Sequence, residues 1–344
     1  MSDIARTIGW GFIGASTIAR EHMIGAVRAQ PGHDVVAVAS GDPAHAQRFA
    51  HENGIAAAYG SVDALLADPA VQVVYISSTN DRHHPQALAA MAAGKAVLCE
   101  KPLALSVEEA RGMIDAAQRA NVLFATNHHL RNAATHRMLR EVVRSGRIGK
   151  PLFARVFHAI WLRELVQGWR IDRPGAGGGV ILDIGTHDVD ALRFILGSEV
   201  AEVVGMSQQG PLSKNGVEDG VMAVLRMSDG VLAQVHAAYT VRHAPTGLEI
   251  HGDAGSVVAS ESMTTRPTGT VLLRTAAGEE LLPVEHESLY VRGVRCFCDA
   301  LGGRGRPAAD GLDGLRSLEA ALAIAEACRT GRAVAVRAGQ SAHA

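Results

Sequence analysis

Four kinds of feature are scarce in this 344-residue chain, and each scarcity excludes something. Aromatic residues make up only 4% of it, too few for base-stacking platforms. No sign of charge dominates: 33 basic residues face 35 acidic ones, the net charge is −2, and no basic block stands out. No nucleic-acid partner is therefore expected. Cysteine occurs four times, as Cys99, Cys296, Cys298 and Cys328. The spacing fits no zinc pattern, since Cys296-Phe297-Cys298 is one residue short of a CxxC, and reduced, partly buried thiols are expected. No apolar run is long enough to cross a bilayer, and Met1 to Arg6 carries no apolar leader, so no membrane partner is expected and the cytoplasm is the expected location.

Apolar residues are plentiful, at 47% against 20% charged, and the length favours two domains. The N-terminal part alternates strand and helix. Ile8 to Ile13 reads as a strand and Thr17 to Ala29 as a helix, broken by Pro31-Gly32. Val35 to Ala39 is a continuous apolar run, as a strand buried on both faces of a parallel sheet requires. Asp42 is placed to cap a helix opened by Pro43. Val71 to Ser77 is a further strand, and Pro85 to Ala93 a helix stopped by Gly94, with His83-His84 in the loop before it. Ala96 to Cys99 is a strand, Ser106 and Glu109 form a capping box, and Val122 to Thr126 is a last strand. This rhythm predicts a doubly wound parallel sheet over residues 1–127.

Beyond Gly149-Lys150-Pro151 the rhythm changes. Leu152 to Trp161, Val200 to Ser207, Gly216 to Met227, Val231 to Tyr239 and Leu248 to His251 read as strands. Asp229-Gly230 is a hairpin turn signal. A glycine-rich stretch, Gly175 to Gly179, leads into a helix around His187 to Leu196, and residues 312–329 are helical. The expected second domain, 128–344, is α+β with an open-faced, largely antiparallel sheet, and its C-terminal helix has the option of packing back on the first.

Two glycine registers overlap at the first turn. Gly9, Gly11 and Gly14 match GxGxxG literally, but this register leaves the polar segment Ser2 to Ile8 as the central strand. The physical register starts where the strand ends, as Gly14-x-Ser16-x-x-Ala19. There Gly14 permits the turn, Ala19 allows close helix packing, and Ser16 offers a hydroxyl to a phosphate at a helix N-terminus. The second strand ends at Ser40-Gly41 with no carboxylate to hold an adenosine 2′-hydroxyl. His45 and Arg48 follow, and Asp42 is assigned to the cap, so NADP(H) is expected over NAD(H).

Two constellations carry chemistry. Glu100-Lys101-Pro102 follows a parallel strand, where Lys101 can stabilise charge on a reacting oxygen or be a plain surface lysine. Asp183 and His187 are four apart, on one face of a helix, where a carboxylate favours a protonated, proton-donating imidazole. Helix capping by Asp183 and inward packing by His187 is the competing account. A metal site adding Asp190 is not expected. Asn127 to Asn132, His158, Trp169 and Arg170 add polar groups suited to a polyhydroxylated ligand.

The N-terminal dinucleotide turn, Glu100-Lys101-Pro102, and Asp183-Ile184-Gly185-Thr186-His187, in this order, resemble the glucose-fructose oxidoreductase / inositol dehydrogenase family over essentially the whole chain. The resemblance implies a Rossmann domain followed by an open-faced sheet domain. It implies NADPH-dependent reduction of a sugar-derived ketone, 1,5-anhydro-D-fructose, to 1,5-anhydro-D-mannitol. Lys101, His187 and Asp183 would be catalytic, with His187 the proton donor. His158, Trp169 and Arg170 would line the sugar site with Lys101, Asp183 and His187. Gly14, Ala15, Ser16, Thr17, Ile18, Ser40, His45, Ser78, Thr79, Asn80, His83, Glu100, Lys101 and Asn127 would touch the cofactor. Another polyol, inositol or ketoaldose is an alternative substrate, and a nicotinamide-dependent glycosidase or a dinucleotide sensor an alternative class. Monomer, and homo-oligomer through the C-terminal sheet, both stay open.

Overall fold

The apolar run Ile8–Ile13 forms strand β1, and Trp10, Phe12 and Ile13 on it are buried. The computed structural model describes residues 7–336, so Met1 to Arg6, on which the expectation of no leader rests, lie outside the described residues. Strands β2 (His33–Ala39), β3 (Ala57–Tyr59), β4 (Val73–Ile76), β5 (Ala96–Cys99) and β6 (Phe124–Thr126) follow. All pair in parallel, in the order β3-β2-β1-β4-β5-β6. The order reverses between β1 and β4, the switch point at which such sheets bind ligands beyond their carboxyl ends. Every residue of β4 and β5 is buried, which explains their unbroken apolar sequence.

The helices that cover this sheet start where side chains supply the missing acceptors. Asp42 caps Pro43–Asn53 by accepting from the Ala44 and His45 N–H groups. Ser106 caps Val107–Ala120 by accepting from Glu109 N at 3.1 Å. Glu109 reaches back one residue further than a standard capping box, to Leu105 N. One boundary differs from expectation. The helix after β4 begins at Asn80, not Pro85, so His83 and His84 are helical. His83 accounts for the extra turn: its ring reaches the carbonyl oxygens of Ser78 and Pro102 and pins the segment. Strand β3 and the short helix Val62–Leu66 carry too few residues for a periodic signal.

The described chain divides into two compact units, residues 7–128 with 290–315, and 129–289 with 316–336. The C-terminal segment of the first unit is tied to the parallel sheet. Phe297, on helix Leu289–Leu301, packs against Trp10 with ring centroids 5.4 Å apart, and the Thr126 hydroxyl donates to the Asp310 carbonyl.

The second unit holds strands β7 (Pro151–Ala159), β8 (Val200–Gln208), β9 (Gly220–Met227), β10 (Leu232–Ala238), β11 (Gly247–Gly252), β12 (Gly255–Ser260), β13 (Thr270–Thr275), β14 (Gly278–Leu282) and β15 (Val334–Ala335). They form one sheet, β14-β13-β12-β11-β7-β10-β9-β8-β15. Only the β7–β10 pair is parallel. Burial alternates along β9, with Met222 and Val224 exposed beside Val204 and Met206 of β8. That is the pattern of a sheet with one open face. β9 starts at Gly220 rather than Gly216, because the Asp219 carboxylate accepts from Gly210 N and Leu212 N and folds the preceding residues into a loop. Among the described residues no helix is long and apolar enough to cross a membrane.

Candidate active site

In the first unit the chain leaves β1 at Gly14, whose φ is +108°. A Cβ there would also lie 2.9 Å from the Ser77 carbonyl and the Ser78 nitrogen, so two strand ends approach each other as only glycine allows. The Ser16 hydroxyl accepts from Ala19 N at 3.2 Å and pairs with the Ser77 hydroxyl at 2.7 Å. It therefore caps the helix that starts at Thr17, which continues through a π-helical turn, Ala19–Met23. In this first turn the N–H groups of Thr17 and Ile18 have no intrahelical acceptor, and with the helix dipole they form an end that attracts anions. Gly9 and Gly11 lie inside β1. A Cβ on Gly9 would strike the Ala70 carbonyl oxygen and one on Gly11 the side chains of Leu65 and Val71. Those glycines serve packing, and the literal GxGxxG match forms no turn.

Ser40 follows β2, and its hydroxyl accepts from Asp42 N at 3.3 Å. The nearby Asp42 carboxylate is engaged as a helix cap. His45 lies half-buried, edge-on to Phe49. After β4, the Ser78 hydroxyl donates to Gln86 Oε1 at 2.7 Å, Thr79 precedes the helix as its N-cap residue, and Asn80 is buried. His83 Nδ1 is 2.8 Å from the Pro102 oxygen, and burial lowers the ring's pKa, with the carbonyl contacts opposing. After β5, Glu100 Oε1 accepts from the Tyr75 hydroxyl and from Asn127 Nδ2, each at 2.6 Å. Burial raises the Glu100 pKa, and these hydrogen bonds oppose that. Lys101 is half-buried and joined to Pro102 by a cis peptide bond. Gly14 to Ile18, Ser40, Ser78 to Asn80, Glu100-Lys101 and Asn127 thus share the carboxyl edge of one sheet. A helix N-terminus at the switch point is a donor set that fits the phosphates of a dinucleotide.

In the second unit a helix runs from Val180 to Leu196 and opens with a π-helical turn, Ile181–Gly185. Glu218 caps it from outside, accepting from Ile181 N at 3.1 Å, and burial raises its pKa. The carboxylate fills the space that a Cβ on Gly179, whose φ is +117°, would take. Asp183 Oδ2 accepts from Arg170 Nε at 3.2 Å and lies 3.0 Å from the Tyr239 hydroxyl. That hydroxyl is also 3.1 Å from the Gly179 oxygen, and its one proton serves one acceptor at a time. Burial, and after it the Asp183 charge, pushes the Tyr239 pKa well up. The Arg170 guanidinium lies over the Trp169 ring at 4.6 Å. His187 is buried, with ring centroids 4.6 Å from His129 and 6.5 Å from His158. His158 Nδ1 meets Asp188 Oδ1 at 2.8 Å.

The second unit therefore brings Trp169, Arg170 and Asp183 together and sets His158 beside His187. Asp190 points elsewhere: Arg131 binds it through two nitrogens at 2.8 and 2.7 Å, and the Ser317 hydroxyl donates to it. Among the described residues no three His, Cys, Asp or Glu side chains are arranged to hold a metal. Sequence reasoning missed Tyr75, Ser77, Asp188, Glu218 and Tyr239. Tyr75 and Tyr239 sit in or beside apolar runs and read as core; only a lone hydroxyl among buried apolar residues hints at a partner.

Against known proteins, residues 8–128 match a family described as an oxidoreductase family with an NAD-binding Rossmann fold. Residues 136–258 match the GFO/IDH/MocA C-terminal domain. The chain is 51% identical over 330 residues to 1,5-anhydro-D-fructose reductase of Ensifer adhaerens, covering 96% of this chain and 99% of that protein. It is 35% identical over 233 residues to trans-1,2-dihydrobenzene-1,2-diol dehydrogenase of Mus musculus, covering 67% of each. The crystal structure of an aldose-aldose oxidoreductase from Caulobacter crescentus, in complex with glycerol, superposes with a TM-score of 0.87 at 24% identity, over 96% of this chain and all of that one. At that identity the likeness speaks to fold alone.

Proposed function

The chain belongs to the GFO/IDH/MocA oxidoreductase family, and from that premise we propose that it reduces a sugar-derived ketone with NADPH, taking 1,5-anhydro-D-fructose to 1,5-anhydro-D-mannitol. The observation that carries this reading is the near full-length likeness to the Ensifer adhaerens reductase. The preference for NADPH is supported by the second strand's end, where Ser40 stands and Asp42 is held as a cap.

A bound nicotinamide supplies the hydride. The rest falls to the chain's own side chains. The Lys101 ammonium donates to the reacting oxygen and stabilises the negative charge that develops on it. His187 gives that oxygen its proton. Asp183, fixed by Arg170 and Tyr239 on the helical turn before His187, orients that histidine. His158, Trp169 and Arg170 bind the sugar hydroxyls.

A substrate panel with NADPH and with NADH tests this reading. Nicotinamide absorbance should fall fastest with NADPH and 1,5-anhydro-D-fructose. Faster turnover of an inositol or ketoaldose would replace the substrate. Free sugar released from a glycoside without net cofactor change would identify a glycosidase, and cofactor binding with no turnover a sensor. Ser40→Asp should move the NADPH-to-NADH preference toward NADH by roughly ten- to hundredfold, the scale of one like-charge contact.

A further inference from the structure

Asp188 follows His187 in the sequence, yet its carboxylate serves a different histidine. It is completely buried, and its Oδ1 lies 2.8 Å from Nδ1 of His158, on β7. A buried carboxylate carries a large desolvation cost unless its partners make use of its charge. An ionised carboxylate only accepts hydrogen bonds, so Nδ1 of His158 must carry the hydrogen. Among the described residues no hydrogen bond takes the other ring nitrogen, Nε2. In the neutral ring that nitrogen is a lone-pair acceptor.

We propose that Asp188 is a positioning residue that fixes His158 in its Nδ1–H form, so that Nε2 accepts a hydrogen bond from a substrate hydroxyl next to the ketone. The site then selects α-hydroxy ketones. The two neighbouring imidazoles differ in polarity: His187 donates to the ketone oxygen and His158 accepts from the hydroxyl beside it. Each hydrogen bond spans about 3 Å, so rings 6.5 Å apart reach two oxygens on adjacent carbons. The selection rests on the sugar-ketone reading above; the ring's protonation pattern does not.

The test compares 1,5-anhydro-D-fructose with its analogue carrying hydrogen in place of the hydroxyl adjacent to the ketone. The wild-type enzyme should favour the hydroxy ketone in kcat/KM by about tenfold or more, the worth of a hydrogen bond to a polarised partner. Asp188→Asn preserves shape but can present its amide N–H to Nδ1 and reverse the ring, as a carboxylate-to-amide change does beside a catalytic histidine. In Asp188→Asn and in Asp188→Ala, loss on the hydroxy ketone should exceed loss on the deoxy ketone by about the same tenfold, mainly through KM. Nitrogen NMR of histidine-labelled enzyme should show a protonated Nδ1 and bare Nε2 at His158 in the wild type, and the reverse in Asp188→Asn. Equal losses on the two ketones, or a protonated Nε2 in the wild type, would overturn the proposal. If no sugar ketone is turned over at all, the functional reading fails, and the NMR pattern still decides what Asp188 does to His158.

Discussion

The two units build their candidate sites by different means. In the parallel-sheet unit, Gly14, Ser40, Ser78, Lys101 and Asn127 each follow a strand within two residues, so backbone topology alone lines them along one edge. In the antiparallel unit, Asp183 and His187 are surrounded by side chains from β7, the Trp169–Asp172 helical turn, the loop before β9 and the end of β10. Here topology supplies only a platform, and the hydrogen-bond network selects the geometry. A backbone-built site tolerates side-chain exchange and fails when the turn fails. A network-built site loses chemistry one contact at a time.

The largest effect separates the two by function. His187→Ala should lower kcat by about 10²- to 10⁴-fold, the usual worth of a positioned proton donor. NADPH affinity, measured by fluorescence titration, should hold within about twofold, the scatter expected between distant, independent sites. Parallel losses of turnover and cofactor affinity would break the division of labour.

Acid should reveal a second difference. His83 in the first unit has a carbonyl oxygen near each ring nitrogen, whereas His136 in the second meets one, that of Leu130. Burial pushes the His136 pKa down to about 4, while the Leu130 carbonyl and Asp190 oppose the shift. Between pH 6.5 and 4 the unfolded chain then takes up a proton that the folded chain refuses. Stability should therefore fall with pH across that window, by up to about 3 kcal/mol from this ring. Urea midpoints at pH 7.5 and 4.5 measure it, and His136→Leu should flatten the response. An unchanged slope would mean that His136 is protonated in the folded protein.

Gly14→Ala tests the backbone-built half. The substitution puts a side chain at φ +108° and within 2.9 Å of the Ser77–Ser78 peptide. Strain of roughly 1–3 kcal/mol at this turn should weaken NADPH binding about ten- to hundredfold. KM for the sugar, extrapolated to saturating cofactor, should change much less. A variant that kept full affinity would show that the turn does not hold the dinucleotide.

The same contrast explains what was legible beforehand. Apolar runs and turn residues are local, so β1, β2, β5 and the caps at Asp42 and Ser106 could be read directly. The choice of Gly14 over Gly9 rested on where an apolar strand must end, again a local matter. Helix start at Asn80 escaped because its support is a histidine reaching a carbonyl nineteen residues away. Asp183 stood out through its spacing from His187, but Tyr239 lies 56 residues further along and carries no pattern marking it as a partner. The π-helical turns at Ala19–Met23 and Ile181–Gly185 have no periodic signature at five residues each.

The smallest expected effect is the sharpest probe of the comparison, because the same atom is removed from both halves. Tyr75 and Tyr239 are fully buried, and each hydroxyl meets one carboxylate, Glu100 at 2.6 Å and Asp183 at 3.0 Å. Each phenylalanine substitution should remove a hydrogen bond worth about 1–2 kcal/mol without opening a cavity. Tyr239→Phe leaves Asp183 with Arg170 but frees it to shift, and kcat/KM for the sugar should fall about tenfold while NADPH affinity holds. Tyr75→Phe leaves Glu100 with Asn127 at the cofactor edge, so the loss should appear in NADPH affinity instead. If both substitutions weakened the same constant, the hydroxyls would be supporting one shared function, and the assignment of cofactor to one unit and proton chemistry to the other would have to be redrawn.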